Sequence, residues 1–125
     1  MILVVEDDPI SREAIESVLQ QTGARVVCAA SAAAGWDYYQ RSRPQLIVSD
    51  ISLGEGDTGL NLLARIRALE AEKHQQPTPA IAITGLEGPA ILDEVIRAGF
   101  NYFIAKPVDL STLTALARTS LTHQK

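Results

Sequence analysis

Three consecutive acids, Glu6-Asp7-Asp8, follow the first apolar run of the chain, and another acid, Asp50, follows the third. Thr84 ends a fourth run, and Lys106-Pro107 follows a fifth. Carboxylates gathered in one crevice repel and raise one another's pKa unless a cation intervenes. A few hard oxygen ligands, with water completing an octahedron, suit Mg²⁺ better than zinc. Lys106 adds a lasting positive charge and Thr84 a hydroxyl, which makes a set suited to holding a phosphoryl group. In such a set an Asp can act as nucleophile and carry an aspartyl-phosphate. Phosphoryl transfer then needs mainly alignment and neutralised charge. Each residue alone has a plainer reading. Acids before a helix complement its dipole, an Asp at a strand end forms a turn, Thr-Gly ends a strand, and a lysine before proline is simply solvated. Only convergence makes chemistry of them, so the elements must bring them together.

Five short apolar runs alternate with five amphipathic ones. The strand candidates are Ile2–Val5, Arg25–Ala29, Leu46–Ser49, Ala80–Thr84 and Tyr102–Ala105. Most are nearly continuous in apolar residues, as expected of parallel strands covered on both faces. Helical periodicity over Pro9–Gln21 sets Ile10, Ala14 and Val18 toward one side, with Ile15 and Leu19 beside them. Leu62, Leu63, Ile66 and Leu69 form such a stripe in the third helix, and Leu110, Leu113, Leu116 and Leu121 in the last. Asp8-Pro9 reads as an N-cap with proline at the first helical position. Gly23 and Gly99 can end helices, and Ser31 and Asp109 can cap them. The alternation implies right-handed crossovers and an α/β, doubly wound, five-stranded parallel sheet. In that fold the functional loops lie beyond the carboxyl ends of the strands. With strand order 2-1-3-4-5, Asp7 and Asp50 are neighbours.

Length and composition narrow the classes. The 125 residues suit one domain spanning 1–125, and 46% hydrophobic against 21% charged residues excludes a disordered chain. One cysteine, Cys28, excludes an internal disulfide framework and a multi-cysteine metal site, and reads as an inert buried strand residue. A net charge of −4 without a basic stripe gives nucleic-acid binding little support. No apolar run approaches the ~20 residues of a membrane span. The opening residues lack a secretory signal, so a cytoplasmic location is expected. His74 falls in a polar loop and His123 in the tail, neither placed for catalysis. Trp36, Tyr38 and Tyr39 crowd the second helix, and their spacing makes Trp36 and Tyr39 packing residues before a binding platform.

From Ile2-Leu3-Val4-Val5-Glu6-Asp7-Asp8 to Lys106-Pro107-Val108 and the last helix, the whole chain resembles a response-regulator receiver domain of two-component signalling. The resemblance implies a flavodoxin-like fold and a phosphoacceptor signalling domain, with self-catalysed phosphotransfer and dephosphorylation and without an enzyme's turnover. It implies Mg²⁺ held by Asp7 directly, by Glu6 through water, by Asp50 and by the main-chain carbonyl of Ser52. Asp50 matches the phosphoacceptor, Thr84 the switch hydroxyl, Lys106 the phosphate-binding lysine and Phe103 the switch aromatic. Asp8 is left to helix capping. The implied donor is a histidine kinase or a histidine phosphotransfer domain, docking near the exposed Pro9-Ile10 end of the first helix. The implied output is a change on the face of helix four, strand five and helix five, with weak or phosphorylation-dependent dimerisation. The Lys106–Pro107 bond is expected cis.

Some residues depart from the commonest pattern. The loop after Asp50 reads Leu53-Gly54-Glu55-Gly56-Asp57-Thr58-Gly59, one residue longer than usual and rich in glycine. Phe103 replaces the frequent tyrosine, and Asn101-Tyr102 replaces the acidic pair of a subfamily that dimerises through this face. The end of helix three, the Lys73–Pro79 loop and the strand after it resemble receivers at the ends of hybrid sensor kinases. No output domain follows the last helix, so the expected output is another protein, or the chain is part of something larger. Two alternatives stand beside this reading. Gly54 to Gly59 literally match G-x-G-x-x-G, a dinucleotide-binding signature, but Asp50, Glu55 and Asp57 set negative charge where a pyrophosphate would sit. A phosphorylation-independent interaction module on the same fold would not need Asp7, Asp50, Thr84 and Lys106 intact.

Overall fold

A computed structural model describes residues 1–53, 57–85 and 89–122. Strands β1 (Ile2–Val5), β2 (Val26–Ala29), β3 (Leu46–Asp50), β4 (Ala80–Thr84) and β5 (Tyr102–Ala105) alternate with helices α1 (Pro9–Gln20), α2 (Ala32–Arg41), α3 (Gly59–Glu72), α4 (Pro89–Ala98) and α5 (Leu110–Thr122). The strands form one parallel sheet in the order β2-β1-β3-β4-β5. This is the doubly wound parallel sheet expected from the alternation, in the flavodoxin-like form that the resemblance implied.

The near-continuous apolar strands are explained by two cores, one on each face. Leu3, Val5, Ile47, Ala80 and Ala82 meet Tyr39 of α2, Leu62, Leu63 and Ile66 of α3, and Val95 of α4. Ile2, Val4, Val48, Ile81, Ile83 and Ile104 face the other way, onto Ile15 and Leu19 of α1 and Leu113 and Ala117 of α5. β3 runs one residue further than the apolar pattern showed. Asp50 is still in register with Ile83, and the Ile51 N–H donates to the Ile83 carbonyl. The acid is therefore placed by the sheet itself.

Helix ends follow their residue chemistry. Asp8, in extended conformation, accepts from the Ser11 N–H, and Pro9 starts the helix. Ser31 caps α2, and Asp109 accepts from the Ser111 and Thr112 N–H groups at the start of α5. Gly23 and Gly99 take positive φ (88° and 105°) after α1 and α4.

The stripe of α3 buries Leu62, Leu63 and Ile66 as expected, while those of α1 and α5 differ in part. Ile15 and Leu19 are the buried residues of α1 and Val18 packs beside them, as the period predicts, but Ile10 and Ala14 face solvent, so the buried face is narrower than expected. On α5, Ala117 and Ser120 are buried with Leu113, and Leu110 is exposed. Small residues there let α5 lie close to the sheet, a geometry that counting leucines misses. Cys28 is half-buried, not buried, because β2 is an edge strand; burial, with Glu16 nearby, still pushes its thiol up to about 11. Trp36 and Tyr39 stack with centroids 6.3 Å apart. His74 is exposed, and His123 lies outside the described residues. Among the described residues, no helix is long and apolar enough to cross a membrane.

Candidate functional site

Because the strands are parallel, the residues that end β1, β3, β4 and β5 share one edge of the sheet. Glu6 and Asp7 leave β1, Asp50 ends β3, Thr84 ends β4 and Lys106 follows β5. Carboxylate oxygens of Glu6, Asp7 and Asp50 lie within 4.8 Å of one another. Glu6 and Asp50 are buried and Asp7 is exposed, so the cluster is a floor with one acid at the rim.

Lys106 spans the floor. Its Nζ donates to Asp50 Oδ2 and, at 3.2 Å, to Glu6 Oε1. Burial alone would lower the lysine's pKa, but the hydrogen bond and charge of Asp50, joined by Glu6, outweigh it and raise it. Burial pushes the Glu6 carboxyl above the ordinary glutamate range; the Asp8 N–H and Lys106 oppose this, while the Asp50 charge adds to it. Three carboxylates around one ammonium leave excess negative charge. The donor set is all hard oxygen, which fits a small divalent cation and not a soft one.

The surrounding backbone holds these groups still. Asp50 Oδ1 accepts from the Ser52 N–H at 2.9 Å, and the Ser49 hydroxyl donates to the Asp50 carbonyl at 2.8 Å. The Lys106 N–H donates to the Thr84 carbonyl at 2.7 Å, tying the ends of β4 and β5 together. The Lys106–Pro107 peptide bond is cis. Thr84 is fully buried, and Phe103, on β5 beside Ala82, is half-buried against the core on the α4 side. Glu6, Asp7, Asp50, Thr84 and Lys106 are thus brought to one edge, with Ser52 beside Asp50, while Phe103 lies within the last strand.

Two further residues shape this edge beyond those the sequence marked for the site. Gly59 starts α3 directly against Asp50, and a Cβ there would lie 2.1 Å from the Asp50 carbonyl oxygen. Arg12, one turn into α1, reaches back and donates to the carbonyl of Glu6 at 3.0 Å and, less closely, of Asp7 at 3.5 Å. A cation one turn after an N-cap aspartate was the available signal. Of the glycine-rich stretch, 54–56 lie outside the described residues. The Gly59 N–H donates to the Ile51 carbonyl and the Asn61 N–H to Thr58 Oγ1. Two of the first amides of α3 are therefore already used by the chain, which speaks against a pyrophosphate seat.

Comparison with known proteins gives one consistent picture. Residues 2–118 match the family described as the response regulator receiver domain. An uncharacterized 14.6 kDa protein of Leptolyngbya boryana is 36% identical, over 94% of this chain and 86% of its own length. Response regulator Rre1 of Synechocystis is 32% identical over 99% of this chain, which spans about half (52%) of that relative. The crystal structure of a putative response regulator from Chloroflexus aurantiacus superposes with a TM-score of 0.86 at 26% identity, covering 98% of this chain and 97% of that one.

Proposed function

The chain belongs to the response regulator receiver domain family, and from that premise we propose that residues 1–125 form one receiver that accepts a phosphoryl group on Asp50. The observation that carries this reading is the Asp50 carboxylate held by Lys106 at a strand end, beside Glu6 and Asp7. The donor is a phosphohistidine, on a histidine kinase or a histidine phosphotransfer domain. An Asp50 oxygen attacks the phosphorus, the P–N bond breaks, and the imidazole nitrogen leaves with the electron pair and gains a proton. The product is an acyl phosphate, which water hydrolyses slowly to restore the carboxylate.

The side chains of Glu6, Asp7 and Asp50 and the main-chain carbonyl of Ser52 would hold Mg²⁺. Bound there, the ion supplies neutralising charge to the phosphoryl oxygens. Lys106 exchanges its bond to the carboxylate for one to the phosphoryl group, and the Thr84 hydroxyl donates a hydrogen bond to it. Movement of Thr84 leaves space that Phe103 turns inward to fill. The change reaches α4, whose Leu92 and Ile96 are exposed (44% and 61%), and α5, where Leu110 is exposed. That apolar surface supports an output protein docking on the face of α4, β5 and α5. Asn101 does not serve such a face as an acid would: its Oδ1 accepts from the Ala80 N–H and from Arg67. A cytoplasmic location accompanies this reading.

Intact mass after incubation with acetyl phosphate and Mg²⁺ tests it. One added phosphoryl group, lost in Asp50→Asn and with EDTA, is the expected result. Absence of both an adduct and beryllofluoride binding would shift the reading to a phosphorylation-independent interaction module.

A further inference from the structure

The Glu6–Asp8 turn is held from several sides. The Glu6 N–H donates to the Ala29 carbonyl of β2. Glu6 Oε2 accepts from the Asp8 N–H at 3.2 Å, and Asp8 Oδ2 accepts from the Ser11 N–H at 2.9 Å. The main-chain carbonyls of Glu6 and Asp7 point elsewhere, and both accept from the same terminal nitrogen of Arg12. Among the described residues, Arg12 supplies the hydrogen bond that the Asp7 main chain accepts. Its own N–H is bound to the Asp8 carbonyl at 2.9 Å, so its origin is fixed by the first turn of α1. The side chain of a helical residue runs back over the preceding turn, which is the direction needed here.

We propose that Arg12 is a positioning residue for the divalent cation: by gripping the carbonyls of Glu6 and Asp7, it fixes how their two carboxylates leave the turn. The inference rests on the reading that these acids and Asp50 hold Mg²⁺. Arg12 itself touches no ligand atom. Two effects of its charge and its hydrogen bonds have opposite signs. A guanidinium beside a metal site repels the incoming ion, so on charge alone its removal tightens binding. A guanidinium that orders the acids pre-organises the site, so its removal weakens binding, as loss of a group that orients metal ligands typically does by about 10- to 100-fold. The sign of the change separates the two.

Calorimetric titration of the metal-free protein with Mg²⁺ at fixed ionic strength tests this, with wild type, Arg12→Met and Arg12→Lys. Methionine keeps an unbranched stem and a helix propensity close to that of arginine, so the fold is retained. The expected result is a Kd roughly tenfold higher in Arg12→Met. Arg12→Lys falls between, because an ammonium can donate to the carbonyls but lacks the rigid fork. The metal-free unfolding midpoint, measured beside it, reports any purely structural loss. A Kd unchanged or lowered in Arg12→Met, with wild type binding normally, overturns the role of Arg12. If wild type binds no Mg²⁺, the metal site itself fails, and the inference with it.

Discussion

The carboxylate of Glu70 is buried, 2% exposed, and pairs with the Arg67 guanidinium at 2.8 Å at the end of the sheet opposite Asp50. Its other oxygen accepts from the Thr78 N–H at 2.8 Å and from the Tyr39 hydroxyl at 3.1 Å. Arg67 in turn donates twice to the Gly99 carbonyl, at 2.8 and 3.1 Å. One acid therefore joins α2, α3, the lead into β4 and the turn after α4. Its polar atoms are satisfied, which a buried charge requires.

That pairing sets a pH dependence. Burial raises the Glu70 pKa, but the Thr78 N–H and Arg67 outweigh it and hold it below the ordinary 4.5. A depressed folded pKa contributes stability above the unfolded value and loses it as pH falls through the folded value. Glu70→Gln should cost about 3 kcal/mol at pH 7, the low end for removing one partner of a buried pair. The gap from wild type, read from urea midpoints, should narrow as pH falls below about 4.5. A gap constant between pH 7 and 3 would assign the loss to packing.

Lys106→Ala separates charge balance from metal binding. The lysine bridges two buried acids, so its loss leaves Glu6 and Asp50 repelling without a counter-charge. The metal-free unfolding midpoint should fall, and added Mg²⁺ should raise it by more than it raises that of wild type. Mg²⁺ binding should survive while acetyl-phosphate labelling or the switch is impaired. Equal Mg²⁺ shifts and unchanged labelling would remove the lysine from the site.

Gly59→Ala tests the seat of Asp50 from behind. The new Cβ would meet the Asp50 carbonyl oxygen at 2.1 Å and the Ile51 Cα at 2.9 Å, both backbone, so α3 or β3 must shift. A cost of about 3 kcal/mol and weakened labelling of Asp50 are expected. Gly23→Ala is the control. Its φ of 88° strains an alanine by about 1–2 kcal/mol, but nothing lies within 4 Å, and the site stays intact. Equal labelling in both variants would show that Gly59 does not position the acid.

How much was legible in the sequence follows from the range of each interaction. Strands β1, β4 and β5 were placed to the residue, because an apolar run ending in a charged or turn-forming residue is a local signal. Parallel winding then brought Asp7, Asp50, Thr84 and Lys106 to one edge without knowledge of any contact. The buried face of α1 was drawn too wide, since Ile10 and Ala14 fit the helical period as well as Ile15 and Leu19 do. Only the sheet decides which stripe it covers. The roles of Arg12, Gly59 and Glu70 were missed for a different reason. Arg12 reaches the carbonyls of Glu6 and Asp7, Gly59 lies against the carbonyl of Asp50, and Glu70 takes the Thr78 N–H besides two side-chain partners; residue type alone does not encode where another segment's backbone lies.

Ile10 is the largest exposed apolar feature of α1, 81% accessible and one residue into the helix beside the acids. An isoleucine there gains nothing for the fold, so on the proposed reading its surface is available to the phosphohistidine donor. Ile10→Asp should leave stability within about 0.5 kcal/mol of wild type, as for most surface substitutions. Burying a charge in a docking interface costs more than about 1.4 kcal/mol, so transfer from the cognate donor should slow by roughly tenfold or more at limiting concentrations. Labelling by acetyl phosphate, which needs no docking surface, should be unchanged. The two rates, measured on the same preparation, decide the matter: equal loss of both would place the defect in the site, and loss of neither would place the donor elsewhere.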